Sequence, residues 1–357
     1  MRLLKPALVA LAFVLAQPAL AQVPRAPDGK PDLSGIWTNA SLTPLSRSPA
    51  QKSLVVTEEE AKKIAASTAI AGVPANDPEF SKNTTYSDPS KGAPEKGGAD
   101  FGLKGYDSFW VTPGDKLAHV KGEWRTSNIV EPANGQLPFK DLAAQQRKQM
   151  IGFQRYMTGN APYEGPEEPA ISERCLIGFG QTGGPGMLSV LYNNNYQFVQ
   201  TPTHMMILVE MAHDARIVPI FANGDEARAH HRPANITPWL GDSVGWWEGD
   251  TFVMESVNVN PLQAQNQSFP LSSKAVVTER LTRTGDKDVF YEFSVNDPET
   301  YTQPWKAELS FYPTSKLYEY ACHEGNQGMI GILAGARELE RAKAAETKPV
   351  KASKRTR

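Results

Sequence analysis

The chain has 357 residues, 40% apolar and 21% charged, so it can bury a sizeable core and is too apolar for a disordered protein. Glycine and proline number 28 each, which argues against a helical bundle or coiled coil and for many turns. The formal net charge is −2, but both ends are basic and the body between them is acidic, which speaks against nucleic acid as the main partner.

Met1 to Lys5 is a short basic start, and Leu8 to Leu15 is an apolar run too short to span a bilayer. Ala19-Leu20-Ala21 is an A-x-A cleavage pattern followed by Gln22. These residues predict a cleaved signal peptide over 1–21 and a periplasmic or secreted mature chain from Gln22. No later run is long and apolar enough for a membrane segment. The two cysteines, Cys175 and Cys322, suit that compartment and make a disulfide between them plausible, with two free thiols as the alternative. There is no CxxC, so neither a structural zinc site nor a thioredoxin-like motif is supported.

Residues 22–34 form a Pro-rich entry, and Gly35 to Thr38 reads as a first strand. Thr57 and Glu60 form a capping-box pair that opens a helix ending near Ser67. Residues 72–105 are a long Gly/Pro/Ser/Lys-rich loop without periodicity. Strands are predicted over Tyr106–Val111 and Trp124–Val130, and a second helix within Pro138–Tyr156. From Leu188 onward the pattern is a β meander. Tyr196–Thr201 and Met205–Met211 flank Pro202-Thr203, and Ala215–Phe221 follows a turn at His213-Asp214. Gly245–Trp247 and Thr251–Val257 flank Glu248-Gly249-Asp250, a strong hairpin signal. Lys274–Thr282 and Val289–Val295 flank Gly285-Asp286, while Lys306–Tyr312 and Leu317–Cys322 flank Pro313–Lys316. This turn spacing suits a sandwich or barrel. Residues 341–357, with seven Lys/Arg against one Glu, read as a disordered basic tail.

Five of the six histidines lie between 204 and 323. His213-Asp214-Ala215-Arg216 at a strand junction suggests a general base oriented by its neighbouring Asp, with Arg216 stabilising oxyanion charge. The bland alternative is a turn whose Asp caps backbone N–H groups. His323-Glu324 follows Cys322 at the end of the last predicted strand and would supply the acid. His230-His231 lacks HxH or HExxH spacing, and adjacent strand residues face opposite ways, so no metal is expected. Tyr192-Asn193-Asn194-Asn195 offers amides to a ligand or to a turn, and Trp246-Trp247 offers a stacking surface or core. Gly178 to Gly186 is Gly-rich but lacks the features of a P-loop or a dinucleotide motif, so it reads as a loop and no cofactor is expected.

The chain resembles a family of largely uncharacterised secreted bacterial proteins in a string of motifs. They are Pro31–Trp37, Arg125–Val130, Glu173–Cys175, Tyr192–Gln197, His213–Ile217, Trp239–Ser243, Trp247–Asp250, Tyr291–Phe293 and Tyr318–Asn326. The resemblance implies export and one β-rich domain, with no settled activity to carry over. The chain departs from the family pattern at Asn223–Pro233, which is longer and holds two histidines.

These readings converge on a mainly β chain. It is a single antiparallel barrel-like domain over 22–340, lipocalin- or calycin-like, with two peripheral helices and long Pro/Gly loops as a partial lid. The leading functional expectation is a periplasmic, cofactor-independent lyase, dehydratase or isomerase acting on a small hydroxylated or aromatic molecule. Its catalytic residues would be His213, Asp214, Arg216, His323 and Glu324. Tyr192, Asn194, Trp247, Arg125 and His230 would contact the substrate. The alternative is a non-catalytic periplasmic small-molecule binding protein using the same barrel mouth.

Overall fold

The computed structural model describes residues 23–68, 112–147, 163, 165–266 and 268–346. The signal-peptide segment, the 72–105 loop and the strand predicted at Tyr106–Val111 lie outside these residues, as does the second helix beyond a helical turn at 142–147.

The strands are β1 (Gly35–Thr38), β2 (Val55–Val56), β3 (His119–Val120), β4 (Glu123–Arg125), β5 (Ile129–Glu131), β6 (Asn195–Gln200) and β7 (His204–Val209). They continue as β8 (Ala215–Phe221), β9 (Asp242–Glu248), β10 (Thr251–Val257), β11 (Val276–Arg283), β12 (Val289–Asn296) and β13 (Trp305–Pro313). β1 and β6 to β13 form a ring that β1–β13 pairing closes, with β5 added outside on β13. The protein is therefore mainly β and built on a closed nine-strand barrel. β2, β4 and β3 make a small separate sheet. The strand predicted at Trp124–Val130 is split between this sheet and β5.

One pair departs from the antiparallel expectation: β8 and β9 run parallel. An odd ring requires it. Direction reverses at every antiparallel pair, and an odd number of reversals cannot return a ring to its starting direction. The chain makes the parallel connection through a short helix, α2 (Gly224–Ala229). Asn223 caps it by accepting from Glu226 N at 3.0 Å, and Ala227 packs with Val244, Trp246 and Val253. The earlier helix, α1 (Glu58–Ser67), carries the predicted capping box at Thr57 and Glu60.

Inward positions are large and apolar. Trp37, Tyr196, Phe198, Phe252, Tyr291, Phe293, Trp305 and Phe311 are all buried in one cluster. Their rings meet edge to face, as in Tyr196–Phe311 at 5.2 Å and Phe269–Trp305 at 4.9 Å. The Gly-rich 178–186 run, read from sequence only as a loop, enters this interior with Met187 and Leu188 after it and plugs it. Gly186 N donates to Glu279 Oε1 at 3.1 Å and Met187 N to the Tyr291 hydroxyl at 2.8 Å. A Cβ at Gly186 would lie 2.9 Å from both the Phe269 and the Phe293 ring, and its φ is +81°, so only glycine fits there.

The last predicted strand, Leu317–Cys322, is not a strand; β13 ends the sheet at Pro313. Two of the backbone N–H groups it would have given to a neighbour go to side chains instead. Tyr318 N donates to Glu210 Oε1 at 3.2 Å and Tyr320 N to His213 Nε2 at 3.0 Å. The segment then reaches Cys322, which is disulfide-bonded to Cys175 with Cα atoms 5.7 Å apart. A helical turn at Cys322–Gly325 leads into α3 (Gln327–Glu346), which continues past the boundary expected at Glu340. Residues 347–357 of the basic tail lie outside the described residues.

Candidate functional site

The turn between β7 and β8 places Ala212 and His213 at φ 59° and 52°, two successive left-handed residues without glycine. It is closed by Val209 N donating to Asp214 O at 2.7 Å. His213 is exposed. Because its Nε2 accepts the Tyr320 N–H, the neutral ring carries its proton on Nδ1. Asp214 does not orient His213. Its Oδ2 accepts Gly178 N at 2.9 Å, and it stands against the Gly-rich plug. Burial pushes the Asp214 carboxyl up to about 6, against one favourable backbone hydrogen bond.

This shift gives a pH prediction. The folded state holds the Asp214 proton more tightly than the unfolded chain, so this group's contribution to stability falls as pH rises from about 4 to about 6, by about 3 kcal/mol. Asp214→Asn keeps an acceptor for Gly178 and removes the ionisation. Urea melts should find this variant more stable than the wild type at pH 7 and equal to it near pH 4. Equal stability at both pH values would refute the shift.

Arg216 points into the barrel and is sealed there. Its guanidinium pairs bidentately with Glu279, donating Nη1 to Oε1 at 3.0 Å and Nη2 to Oε2, and Nη2 also reaches Ser256 Oγ at 3.0 Å. The Arg216 and Glu279 side chains are 2% and 0% exposed, so neither meets a ligand from outside. His323 and Glu324 stand on the helical turn that begins at Cys322, directly after the segment whose Tyr320 N reaches His213. Both are exposed and, among the described residues, neither is hydrogen-bonded to His213 or Asp214.

The expected substrate contacts are dispersed. Tyr192 packs edge-on to Phe179 at 5.4 Å. Asn194 is committed to the fold, accepting from Val190 N at 2.7 Å and donating to Val190 O and Thr112 O. Arg125 lies in the small sheet and pairs with Glu123 and Glu308. Trp247 packs on Phe252, with the Lys30 ammonium 5.7 Å from its ring centre. His230 stacks on Phe221 at 4.4 Å and bonds Glu226 O. Its neighbour His231 is the enclosed one, held at 2.9 Å by Asp242 and 3.6 Å from Glu255. Burial alone would lower the His231 pKa, but the two carboxylates outweigh it and raise it.

Sequence reasoning did not single out Glu210 as a site residue, although it is the one charged residue of an apolar strand. It is buried, Oε1 accepts from Asn193 Nδ2 at 3.1 Å and from Tyr318 N, and Oε2 has no partner. It also passed over a cleft of about 370 Å³ between the plug and the 41–45 segment. Leu42, Leu45, Phe179 and Val190 supply its apolar wall, and Ser41, Thr43, Thr68, Asn128, Ser189 and Ser268 its polar groups. Its one legible signal was the Gly-rich run 178–186. The rest of the wall comes from segments far apart in sequence.

Among the described residues no group of His, Cys, Asp or Glu is placed to hold a metal ion, and no helix is long and apolar enough to cross a membrane. Comparison with family models, curated proteins and solved structures finds no match to this chain.

Proposed function

We propose that this protein is an exported small-molecule binding protein whose ligand occupies the cleft beside the plug. The observation that carries this reading is the lining of the cleft: hydroxyls, an amide and apolar side chains, with no ionisable group among the described residues. Its volume suits a small organic ligand, and a few polar groups on an apolar wall are what orient one. Acid–base catalysis needs a titratable group within hydrogen-bond reach of the reacting atoms, which the described residues of this lining do not offer. The basic-apolar-AxA start and the disulfide support an oxidising compartment, most simply the periplasm, as does the resemblance to secreted bacterial proteins.

A second reading, a cofactor-independent lyase, dehydratase or isomerase, is favoured by one observation. Asp214 has a pKa near 6, close to where a general acid–base works best, and exposed His213 is next to it. Two variants separate the readings. Small neutral hydroxylated or aromatic compounds are titrated by calorimetry, with each mixture then analysed for conversion. Ser189→Phe fills the cleft and should weaken binding at least tenfold, about 1.4 kcal/mol. Asp214→Asn should leave binding unchanged. Unaltered binding in Ser189→Phe would sink the cleft as the site. Conversion by the wild type that Asp214→Asn abolishes would establish the enzyme.

A further inference from the structure

The connection between the two parallel strands is held down by charge. β8 and β9 share two residue pairs, Ile220 with Gly245 and Phe221 with Trp246, whereas β7 and β8 share five and β9 and β10 seven. His231, two residues after α2, lies between Asp242 at the start of β9 and Glu255 on β10. Its Nδ1 is 2.9 Å from Asp242 Oδ2 and its Nε2 is 3.6 Å from Glu255 Oε1. We infer that His231 is a pH-sensitive latch on this crossover, closed while the imidazole is charged and loosened when it loses its proton. The inference stands apart from the cleft and its ligand.

A carboxylate only accepts, so the 2.9 Å contact with Asp242 places a hydrogen on Nδ1. In the neutral ring Nε2 is then a lone pair, buried, without a hydrogen-bond partner and facing the Glu255 carboxylate. Two unsolvated acceptors face to face are unfavourable. A second proton turns Nε2 into a donor aimed at Glu255 and makes the ring a cation between two anions. The other charged groups packed here are Arg228 of α2 and Arg232. Arg228 Nε donates to Glu255 Oε2 at 3.0 Å, with Asp225 3.5 Å from its Nη1, and Arg232 Nε is 3.4 Å from Asp242 Oδ1. Their side chains are 48% and 62% exposed, so water screens them, while those of His231, Asp242 and Glu255 are 13%, 9% and 11% exposed. His230 turns to Phe221 and Glu226 O and takes no part in the row.

Burial works against the charge on His231, but Glu255 and Asp242 outweigh it and hold the pKa above the ordinary histidine value. The latch therefore contributes in full below that ordinary value and is lost as pH rises through the folded one. The release is local. Ala227 of α2 packs with Val244, Trp246 and Val253, and the neutral ring leaves Asn258 Nδ2 on Arg232 O and the His230–Phe221 stack in place.

Site-resolved amide exchange of the oxidised full-length chain, corrected for the intrinsic effect of pH on exchange, is followed from pH 6 to pH 9. Ala227 N, His230 N and His231 N donate to the carbonyls of Asn223, Ala227 and Arg228. Their protection should fall at least about tenfold over that range while the amides of β10 keep theirs. His231→Gln still has a donor for Asp242 and no proton to lose, so its protection at the same amides should not change with pH. In the wild type, nuclear magnetic resonance of the His231 ring should give a midpoint above the ordinary histidine value, and Glu255→Gln should move it down. Constant protection in the wild type, or an equal fall in His231→Gln, would overturn the latch. So would a ring midpoint at or below the ordinary value, a result that needs no variant to fold.

Discussion

Glu279→Ala is expected to cost about 3–5 kcal/mol of folding stability, the range found when one partner of a buried ion pair is removed. Glu279 is fully buried inside the barrel and gathers several donors: Arg216, the Tyr291 hydroxyl at 2.6 Å and Gly186 N at 3.1 Å. Burial, and then the adjacent Glu279 charge, raise the Tyr291 phenol well above its usual pKa, so it stays a donor. Without the carboxylate, Arg216 is a buried cation held only by Ser243 and Ser256, and the plug loses its Gly186 anchor. The double variant Arg216→Met, Glu279→Leu removes both charges together and should recover most of the loss, since apolar replacement of a buried pair is often neutral. Urea melts of the three variants measure this. A loss below about 1 kcal/mol for Glu279→Ala, or no recovery in the double variant, would contradict the network described.

Opening the Cys175–Cys322 disulfide is expected to cost about 2–5 kcal/mol, because it closes a loop across 147 residues of sequence. The local effect should exceed the global one. The strap from Thr314 to Ala321 has no strand partner and is held by single contacts: Thr314 N to Ile36 O, Tyr318 N to Glu210 and Tyr320 N to His213. Cys322→Ser should therefore raise amide exchange first at Tyr318 and Tyr320, while β6 and β7 stay protected. Denaturant melts of the oxidised and reduced chain, with site-resolved exchange, test both parts. Protected amides in the strap of the reduced protein would mean that its contacts suffice without the bond.

Local signals located the elements well where chemistry is local. The capping box at Thr57 and Glu60, the Glu248-Gly249-Asp250 hairpin and the alternation of Val289–Val295 each depend on neighbours a few residues apart, and each is where the sequence puts it. The C-terminal strand was misread because Leu317–Cys322 has strand-like composition. What decides its state is two side-chain acceptors, Glu210 and His213, more than 100 residues earlier. The candidate site was less legible than the fold. The pattern His213-Asp214-Ala215-Arg216 suggests one cluster, yet a left-handed turn holds its first half and β8 begins inside it, which sends its members apart. Arg216 goes into the barrel, Asp214 stands against the plug, and His213 is under the strap.

The sequence alone determined a β-rich chain with turns at set places and two cysteines suited to an oxidising compartment, since composition, period and turn chemistry are properties of short stretches. Only the tertiary structure decided that the ring closes with one parallel pair and that a Gly-rich loop fills the barrel. It also decided that Arg216 is spent on Glu279 and that segments far apart in sequence meet to line one cleft. Each of these depends on which distant groups share a space, and whether a donor is free or already satisfied is settled by its partner across the fold and not by its neighbours along the chain.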